Sequence, residues 1–283
     1  MANAREILNR MHSVQDTRKI TNAMYLIAST KLKKSKKALE ETEPYFYTLQ
    51  SLIQRILRHM PDVKHFYFDT RSSIKPEDRS RGLIVITGDK GLAGAYNHNV
   101  LKIAHEWMES GKNNHLYVVG ELGRQYFESK HMPVEEQFHY TVQNPTMHRA
   151  RLISSTVLED YEEGRLDEVW ILYTQMINSM KMEAQLVQLL PLKREDFSKI
   201  TMPADIYQDE IKMVPSPEEV MNHVVPFCSE QNARMMPMQS ASDNASQHLS
   251  QLSVEYNRVR QAAITQEITE VVGGAKAQRK KSS

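Results

Sequence analysis

MQSASDNASQHLSQLSVEYNRVRQAAITQEITEVV, residues 238–272, is the stretch that decides the fold. It contains neither glycine nor proline, and at about 1.5 Å per residue it predicts a helix roughly 50 Å long. The Gly273-Gly274 pair that follows predicts the end of this helix. Small and apolar residues recur at near-heptad spacing: Met238, Ala241, Ala245, Leu249, Leu252, Tyr256, Val259, Ala263, and then Gln266. Small residues on such a stripe let a second helix approach closely, so we expect a helical partner.

The other end of the chain predicts a second long helix. No proline precedes Pro44 and no glycine precedes Gly82, so the first forty-odd residues can form one unbroken helix. Its main stripe has three- and four-residue spacing: Ile7, Met11, Val14, Thr21, Tyr25, Ala28, Leu32 and Leu39. Ile20, Met24 and Ile27 form a second stripe, which indicates partners on more than one side. We therefore expect the two terminal helices to pair as a coiled coil.

Between the terminal helices the period of the sequence changes. Short apolar segments predict strands at 83–87, 115–119, 168–174, 183–190 and 206–213. Amphipathic segments predict helices at 98–110, 122–130, 146–163 and 216–225. Strands that alternate with helices indicate a small, partly parallel, Rossmann-like α/β domain. The predicted parts of the chain are a coiled-coil helix at 1–60, a linker at 61–81, the α/β domain at 82–214, a coiled-coil helix at 215–275 and a basic tail at 276–283.

The composition is that of a globular protein, with 40% hydrophobic residues and 36 basic against 35 acidic residues. No apolar run approaches the roughly 18 residues that a membrane span needs. The N-terminus lacks an apolar signal core, so we expect the chain to stay in the cytoplasm. Cys228 is the only cysteine, which excludes an internal disulfide. We expect it to be an ordinary buried or half-buried residue rather than a catalytic thiol.

Basic residues are concentrated near the start of the chain. Residues 1–37 contain nine basic and two acidic side chains. Such a segment suits nucleic acid, anionic lipid or an acidic protein surface, and it is equally typical of a solvated helix face. Paired basic helices can lie on DNA, but interleaved aromatic residues and a strongly basic isoelectric point are missing, so we expect no nucleic-acid partner.

LIVITGDKGLAGAYN, residues 83–97, has the strand-loop-helix setting of a phosphate-binding loop. Its glycines at 88, 91 and 94 match neither the Walker spacing nor the dinucleotide fingerprint. Asp89 also puts a carboxylate where a phosphate would sit. A nucleotide-binding enzyme built on the Gly88–Gly94 loop is the alternative function, but the glycines better suit a tight turn and close packing.

No other catalytic or metal-binding motif stands out. The eleven histidines include no H-x-x-x-H pair, and no G-x-S-x-G sequence is present. We therefore expect no metal and no cofactor. Pro237 lies in the methionine-rich stretch that leads into the C-terminal helix, and it predicts a kink or an interruption there.

Three segments resemble one family. REILNRMHSVQDTRKITNAMYLIASTKLKKS, residues 5–35, resembles the N-terminal helix of the F-type ATP synthase gamma subunit. SASDNASQHLSQLSVEYNRVRQAAITQEITEVVGGA, residues 240–275, resembles its C-terminal helix, and ITGDKGLAGAYN sits where that family has a glycine-rich turn. The resemblance extends over nearly the whole chain, and it is most specific at the C-terminal end.

The resemblance implies a non-catalytic rotor subunit. In that family the antiparallel coiled coil of the two termini is the shaft inside a hexamer of alpha and beta subunits. The α/β domain forms the foot, against the epsilon subunit and the membrane c-ring. The implied role is to couple ion flow to ATP synthesis or hydrolysis. The implied location is peripheral, on the cytoplasmic face of the bacterial cell membrane, without a span of its own.

The family pattern also implies roles for individual residues. Arg260, Gln261 and Thr265 match the positions that form a hydrogen-bonded catch with the beta subunits. Met24 matches a position sensitive to coupling, although plain packing would also explain a methionine there. Lys19 and the lysines between 31 and 37 could face acidic loops of the head or simply water. The turn residues Asp89, Lys90, Gly91 and Gly94 would lie at the foot.

Three departures from the family pattern affect the C-terminal helix. VVPFCSEQNARMM, residues 224–236, lacks roughly a dozen residues, or about three helical turns, before the part that matches. Pro237 stands where the family usually carries a small helix former. The end of the chain, KAQRKKSS, is more basic than the apolar end typical of the family.

Overall fold

The computed structural model describes residues 2–59, 65–89, 95–135, 140, 147–178, 181–198, 214 and 216–281. The chain forms two compact units. The first, which we call the terminal unit, comprises residues 1–33 together with 245–283. The second, which we call the central unit, comprises residues 34–244.

Two long helices begin and end the chain. Helix α1 spans Ala2–His59 and helix α6 spans Pro217–Lys281. Each contributes residues to both units. A long helix at each terminus was expected from the sequence; α1 falls within the predicted 1–60, whereas α6 continues beyond the predicted end at 275. Helix α1 continues through Pro44, and α6 absorbs the separate helix predicted at 216–225.

The interruption predicted at Pro237 does not occur, because α6 runs through both Pro226 and Pro237. A proline inside a helix removes one backbone hydrogen bond and costs about 3 kcal/mol. Here α6 buries apolar side chains on both sides of that position, among them Val225, Cys228 and Met238. Burial of each such side chain contributes about 1.5–3 kcal/mol, which offsets the cost of the proline.

The helix end predicted at Gly273-Gly274 is also wrong, since α6 continues to Lys281. A glycine ends a helix when it adopts the left-handed conformation, whereas both of these glycines keep the helical one. In a helix interior each costs about 1 kcal/mol relative to alanine. The basic residues that follow in the sequence suit the negative end of the helix dipole.

A four-stranded sheet forms the middle of the central unit. Its strands are β1 (Arg81–Ile86), β2 (Asn114–Val119), β3 (Glu168–Asn178) and β4 (Lys181–Leu190), in the order β2-β1-β3-β4. Strand β1 pairs in parallel with both β2 and β3, while β3 and β4 are antiparallel. The partly parallel α/β domain predicted from the sequence is therefore confirmed. The strand predicted at 206–213 lies outside the described residues.

Helices cover both faces of this sheet. They are α2 (Ala95–Glu109), α3 (Glu121–Ser129) and α4 (Met147–Glu162), with a short α5 (Arg194–Ser198) after β4. One core, on the face of Ile84 and Ile171, contains side chains of α1, α4 and α6. A second core, on the face of Leu83 and Leu172, contains side chains of α2 and α3. Two buried faces explain why β1 and the second half of β2 are almost continuously apolar, whereas β4 at the edge of the sheet carries several polar residues.

Candidate functional site

The glycine loop, weighed above as an alternative phosphate site, begins at the carboxyl end of β1, where side chains of the chain itself accept from the N–H of Gly88 and from two N–H groups at the start of α3. The N–H of Gly88 donates to Asn97 Oδ1 at 2.8 Å, and the N–H of Gly123 donates to Thr87 Oγ1 at 3.0 Å. Asp89 Oδ1 accepts from the N–H of Glu121 at 3.3 Å. A phosphate cradle needs backbone N–H groups that are free to bind the ligand. These three donors are engaged already.

Gly88 packs closely against neighbouring side chains at this point. A β-carbon at Gly88 would lie 2.9 Å from Nδ2 of Asn244 and 3.4 Å from the carboxamide of Asn97. Asn244 belongs to α6, so the root of the glycine loop packs against that helix within the central unit. The expected use of this glycine in close packing agrees with the geometry. Lys90, Gly91 and Gly94 lie outside the described residues.

Buried tyrosines are the most perturbed titratable groups among the described residues. Burial raises the pKa of Tyr67 far above its ordinary value, and the adjacent Glu162 carboxylate, which accepts a 2.5 Å hydrogen bond from the phenol, raises it further. Burial raises the pKa of Tyr117 in the same way, with Asp160 as the acceptor at 2.5 Å. Both phenols are therefore donors fixed in the protonated form, which is a structural role.

Cys228 is buried, and burial raises the pKa of its thiol to about 12. A thiol acts as a nucleophile only as the thiolate, so this cysteine stays unreactive near neutral pH. Within the described ranges, no three side chains among histidine, cysteine, aspartate and glutamate come together as metal ligands. Of the helices that the described residues form, none combines the length and the apolar character that crossing a membrane requires.

The terminal unit buries one stripe on each of its helices. On α1 the less exposed positions recur at heptad-related spacing: Val14, Thr21, Tyr25, Ala28 and Leu32. On α6 the spacing alternates between three and four residues: Leu249, Leu252, Tyr256, Val259, Ala263 and Gln266. Thr21 and Val259 are the most deeply buried, at 6% and 8% exposure. These positions coincide with the stripes predicted from the sequence, and their spacing is that of helices packed along a seam.

Arg260, Gln261 and Thr265 are exposed on α6. Gln261 and Thr265 lie one turn apart, so their side chains share a face of the helix. Thr265 Oγ1 donates to the carbonyl oxygen of Gln261 at 2.9 Å. The hydroxyl oxygen therefore remains an acceptor, and a long amide and a guanidinium stand nearby on the same exposed segment.

The two candidate residues on α1 are exposed as well. Met24 is 44% exposed, on the stripe that also contains Ile20 and Ile27. The Lys19 ammonium lies 3.5 Å from the Asp16 carboxylate, one turn earlier, in an ion pair open to solvent. Exposed pairs of this kind contribute at most about 1 kcal/mol, so Lys19 remains available to a partner.

Helix α6 carries exposed apolar residues that the sequence reasoning did not single out. Ile264, Ile268 and Val271 are about half exposed or more. A run of large apolar side chains in contact with water is typical of a surface that another protein covers. The signal was present in the sequence, because these residues fall off the predicted seam, but periodicity alone assigned them no partner.

The chain matches a sequence model of the family described as ATP synthase over residues 3–278. It is 42% identical to the ATP synthase gamma chain of Ruminiclostridium cellulolyticum, over 97% of this chain and 98% of that protein. It is 35% identical to the sodium-ion-specific ATP synthase gamma chain of Acetobacterium woodii, over 97% of this chain and 98% of the relative.

Among solved structures, the chain resembles one from the central stalk and c-ring of the Tetrahymena thermophila mitochondrial ATP synthase. The TM-score is 0.60 at 18% identity, over 83% of this chain and 99% of that chain, which supports the fold. The alternative of a nucleotide-binding enzyme is not favoured, because the relatives are gamma chains and the donors at the root of the loop are engaged. The described geometry and the near full-length matches together show that the chain belongs to the ATP synthase gamma-chain family.

Proposed function

We propose that this protein is the central rotor shaft of an F-type ATP synthase and is not itself catalytic. The observation that carries the proposal is the match to curated gamma chains over nearly the whole of both sequences. The terminal unit would be the part that enters the hexamer of alpha and beta subunits. The central unit would be the foot, next to the epsilon subunit and the membrane ring.

The stripes of the terminal unit support an antiparallel coiled coil as the shaft. Both helices are unbroken, and both bury small or apolar side chains at heptad-related spacing. A shaft that transmits torque has to resist bending, and two helices packed along a seam are stiffer than either one alone.

The exposed face of the shaft supports contact with the head. Met24 and Ile264 are apolar and exposed, whereas Arg260 and Gln261 are polar and exposed on the neighbouring turns. Apolar contacts would hold the shaft against the head. Hydrogen bonds that form at only one rotation angle of the shaft would favour that angle. We assign Arg260, Gln261 and Thr265 to the catch with the beta subunits, and Met24 and Lys19 to coupling.

The proposed mechanism is a shift in the populations of conformational states. A shaft whose two helices differ in sequence presents a different surface to each of three beta subunits. A ligand or partner shifts an equilibrium only by its differential affinity for the two states. A difference of about 1.4 kcal/mol between faces would change the affinity of a catalytic site roughly tenfold. Each ion that crosses 100 mV supplies about 2.3 kcal/mol for turning the shaft.

The same proposal implies a location for the chain and no catalytic chemistry of its own. The chain would lie on the cytoplasmic face of a bacterial cell membrane as a peripheral subunit. The engaged N–H of Gly88 and the protonated Cys228 thiol support a subunit without catalytic chemistry of its own. The turn residues Asp89, Lys90, Gly91 and Gly94 would serve the foot and bind no phosphate.

Reconstitution tests the proposal. The chain is mixed with the alpha and beta subunits of a related bacterium, and the assembled complex is isolated by size and assayed for ATP hydrolysis. We expect a complex that contains one copy of this chain and hydrolyses ATP faster than alpha and beta alone. Failure to assemble, together with no stimulation by a chain that is folded by circular dichroism, would contradict the proposal.

A further inference from the structure

The core on the Ile84 face of the sheet contains a cavity of about 40 Å³ within the central unit. The sheet contributes Ile84 and Ile171 to its wall, among other aliphatic side chains, and α4 contributes Ile153. Most of the wall residues belong to the buried core. The cavity is therefore a gap in an otherwise packed apolar layer.

Helix α6 is the reason for the gap. Its contribution to the wall is Ser229, Ala233 and Pro237, three small side chains spaced four residues apart. Side chains at this spacing lie above one another on one face of a helix. Three consecutive turns without a large side chain leave space above the sheet, and the facing isoleucines of the sheet and α4 do not fill it.

The chemistry of the wall is almost entirely aliphatic. The only side-chain polar atoms in the lining are the hydroxyls of Ser154 and Ser229. Ser154 Oγ lies 3.0 Å from the carbonyl oxygen of Ala150 and 3.3 Å from that of Arg151, so helix α4 already uses it. A buried water typically needs two to four polar partners, and apolar cavities without them remain dry. Water is therefore a poor occupant.

The size of the cavity limits the occupant. One buried water needs roughly 10–15 Å³ of cavity volume, so 40 Å³ accommodates a molecule of about three heavy atoms. The wall atoms that face an empty cavity lack dispersion contacts on that side. An apolar occupant restores these contacts without the loss of any hydrogen bond. Size and chemistry together select a compact apolar molecule.

We propose that this cavity is a binding site for one small apolar molecule, of the size of a xenon atom or a three-carbon hydrocarbon. Its occupancy strengthens the packing of α6 on the sheet. The proposal stands on the cavity and its wall alone and is independent of the rotor function.

A xenon titration of the full-length chain tests the proposal. The protein carries ¹³C-labelled isoleucine, leucine and valine methyl groups, and two-dimensional spectra are recorded at increasing xenon pressure. We expect saturable shifts of the Ile153 and Ile171 methyl groups, which line the cavity. The Leu101 and Leu116 methyl groups lie in the second core and serve as the internal control, with little or no shift. No shift in the first pair, or equal shifts in both pairs, would overturn the proposal.

A variant whose side chain fills the cavity provides a second test of the site. Ala233→Leu places a branched side chain in the gap, and Ala262→Leu makes the same change at an exposed position of α6. Xenon should raise the melting temperature of the wild type and of Ala262→Leu but not that of Ala233→Leu. An undiminished xenon response in folded Ala233→Leu counts against the site. If Ala233→Leu does not fold, the wild-type titration decides the question by itself.

Discussion

Thr265 donates its hydroxyl proton to the carbonyl oxygen of Gln261, one turn earlier on α6 and 2.9 Å away. The bond fixes the threonine side chain against the helix and directs its remaining acceptor capacity outward. Gln261 and Arg260 are exposed on the same segment, so three hydrogen-bonding groups are held on one part of the helix surface. This arrangement is the structural basis of the catch proposed above.

The double substitution Gln261→Ala/Thr265→Ala should lower coupled ATP synthesis in the assembled complex several-fold. Each lost intersubunit hydrogen bond is worth about 1 kcal/mol, and both side chains are exposed in the isolated chain. The melting temperature of the isolated chain should therefore change little, because surface substitutions usually alter stability by at most about 0.5 kcal/mol. ATP synthesis in membrane vesicles and thermal unfolding of the chain are measured side by side.

Thr48→Ala is the matched control for this pair of substitutions. Thr48 is exposed in the central unit and makes the same kind of bond, from its hydroxyl to the carbonyl oxygen of Pro44 at 2.8 Å. Its replacement should leave ATP synthesis unchanged. If the double variant loses stability and synthesis in proportion, Gln261 and Thr265 are structural residues, and the proposed catch is wrong.

The stability of the chain should fall at alkaline pH because of two buried tyrosines. Burial and the adjacent carboxylates hold the pKa of Tyr67 and Tyr117 well above 10, whereas the unfolded chain releases these protons near pH 10. Their contribution is therefore fully present below about pH 10 and is lost as the pH rises from there towards the folded-state pKa. Each tyrosine adds a slope of about 1.4 kcal/mol per pH unit in that window.

Tyr117→Phe should lower the free energy of unfolding at pH 8 by about 1.5–3 kcal/mol, because the hydrogen bond to Asp160 is lost. The same variant should lose less additional stability than the wild type between pH 10 and 11. Urea unfolding at several pH values measures both effects. Tyr47→Phe, at an exposed position of α1, is the control and should keep the wild-type slope. Identical slopes for Tyr117→Phe and the wild type would contradict the prediction.

Gly88→Ala should destabilise the central unit by about 1–2 kcal/mol. The added methyl group would lie 2.9 Å from Nδ2 of Asn244, so the asparagine side chain has to move. Asn244→Ala removes that obstacle, and the cost of Gly88→Ala should be smaller in this background. A double-mutant cycle from urea unfolding measures the coupling. Additive effects would mean that the two residues do not constrain each other.

The isolated chain should bind neither ATP, NAD nor inorganic phosphate. The N–H of Gly88 is engaged by Asn97, and the neighbouring N–H groups of Gly123 and Glu121 at the start of α3 are engaged by Thr87 and Asp89, so a ligand would have to displace those bonds. Isothermal titration of the full-length chain with each compound checks this expectation. Saturable heat that disappears in Gly88→Ala would revive the enzyme hypothesis.

The sequence predicted the elements of the central unit well, because strands and helices there leave clear periodic signals. The four predicted strands that fall on described residues are all present, and β1 and β3 are parallel as expected from the strand-helix alternation. The spacing of the glycines was also sufficient to argue against phosphate binding by the loop, because it matches neither the Walker nor the dinucleotide pattern. The engagement of Gly88 by Asn97 and its contact with Asn244 required the tertiary structure.

Local helix-breaking rules failed at two places on α6. Pro237 and the Gly273-Gly274 pair are helix-breaking signals in any isolated segment, yet α6 passes through both. At Pro237 the propensity cost of about 3 kcal/mol is smaller than the summed burial of the surrounding helix face, which includes Val225, Cys228 and Met238, so packing decides the outcome there. The cavity beside Ala233 was equally invisible in the sequence, because it depends on which side chains face one another across α4, α6 and the sheet.

The sequence by itself determined that both termini form long helices, which positions lie on their buried stripes, and which family the chain resembles. These properties are local and periodic, and residue spacing records them directly. Only the tertiary structure decided that the C-terminal helix continues past its prolines, that Gly88 packs against Asn244, and that a gap lined by aliphatic side chains remains between α6 and the sheet. Those features depend on contacts between residues far apart in the chain, whose energies exceed the local preferences along it.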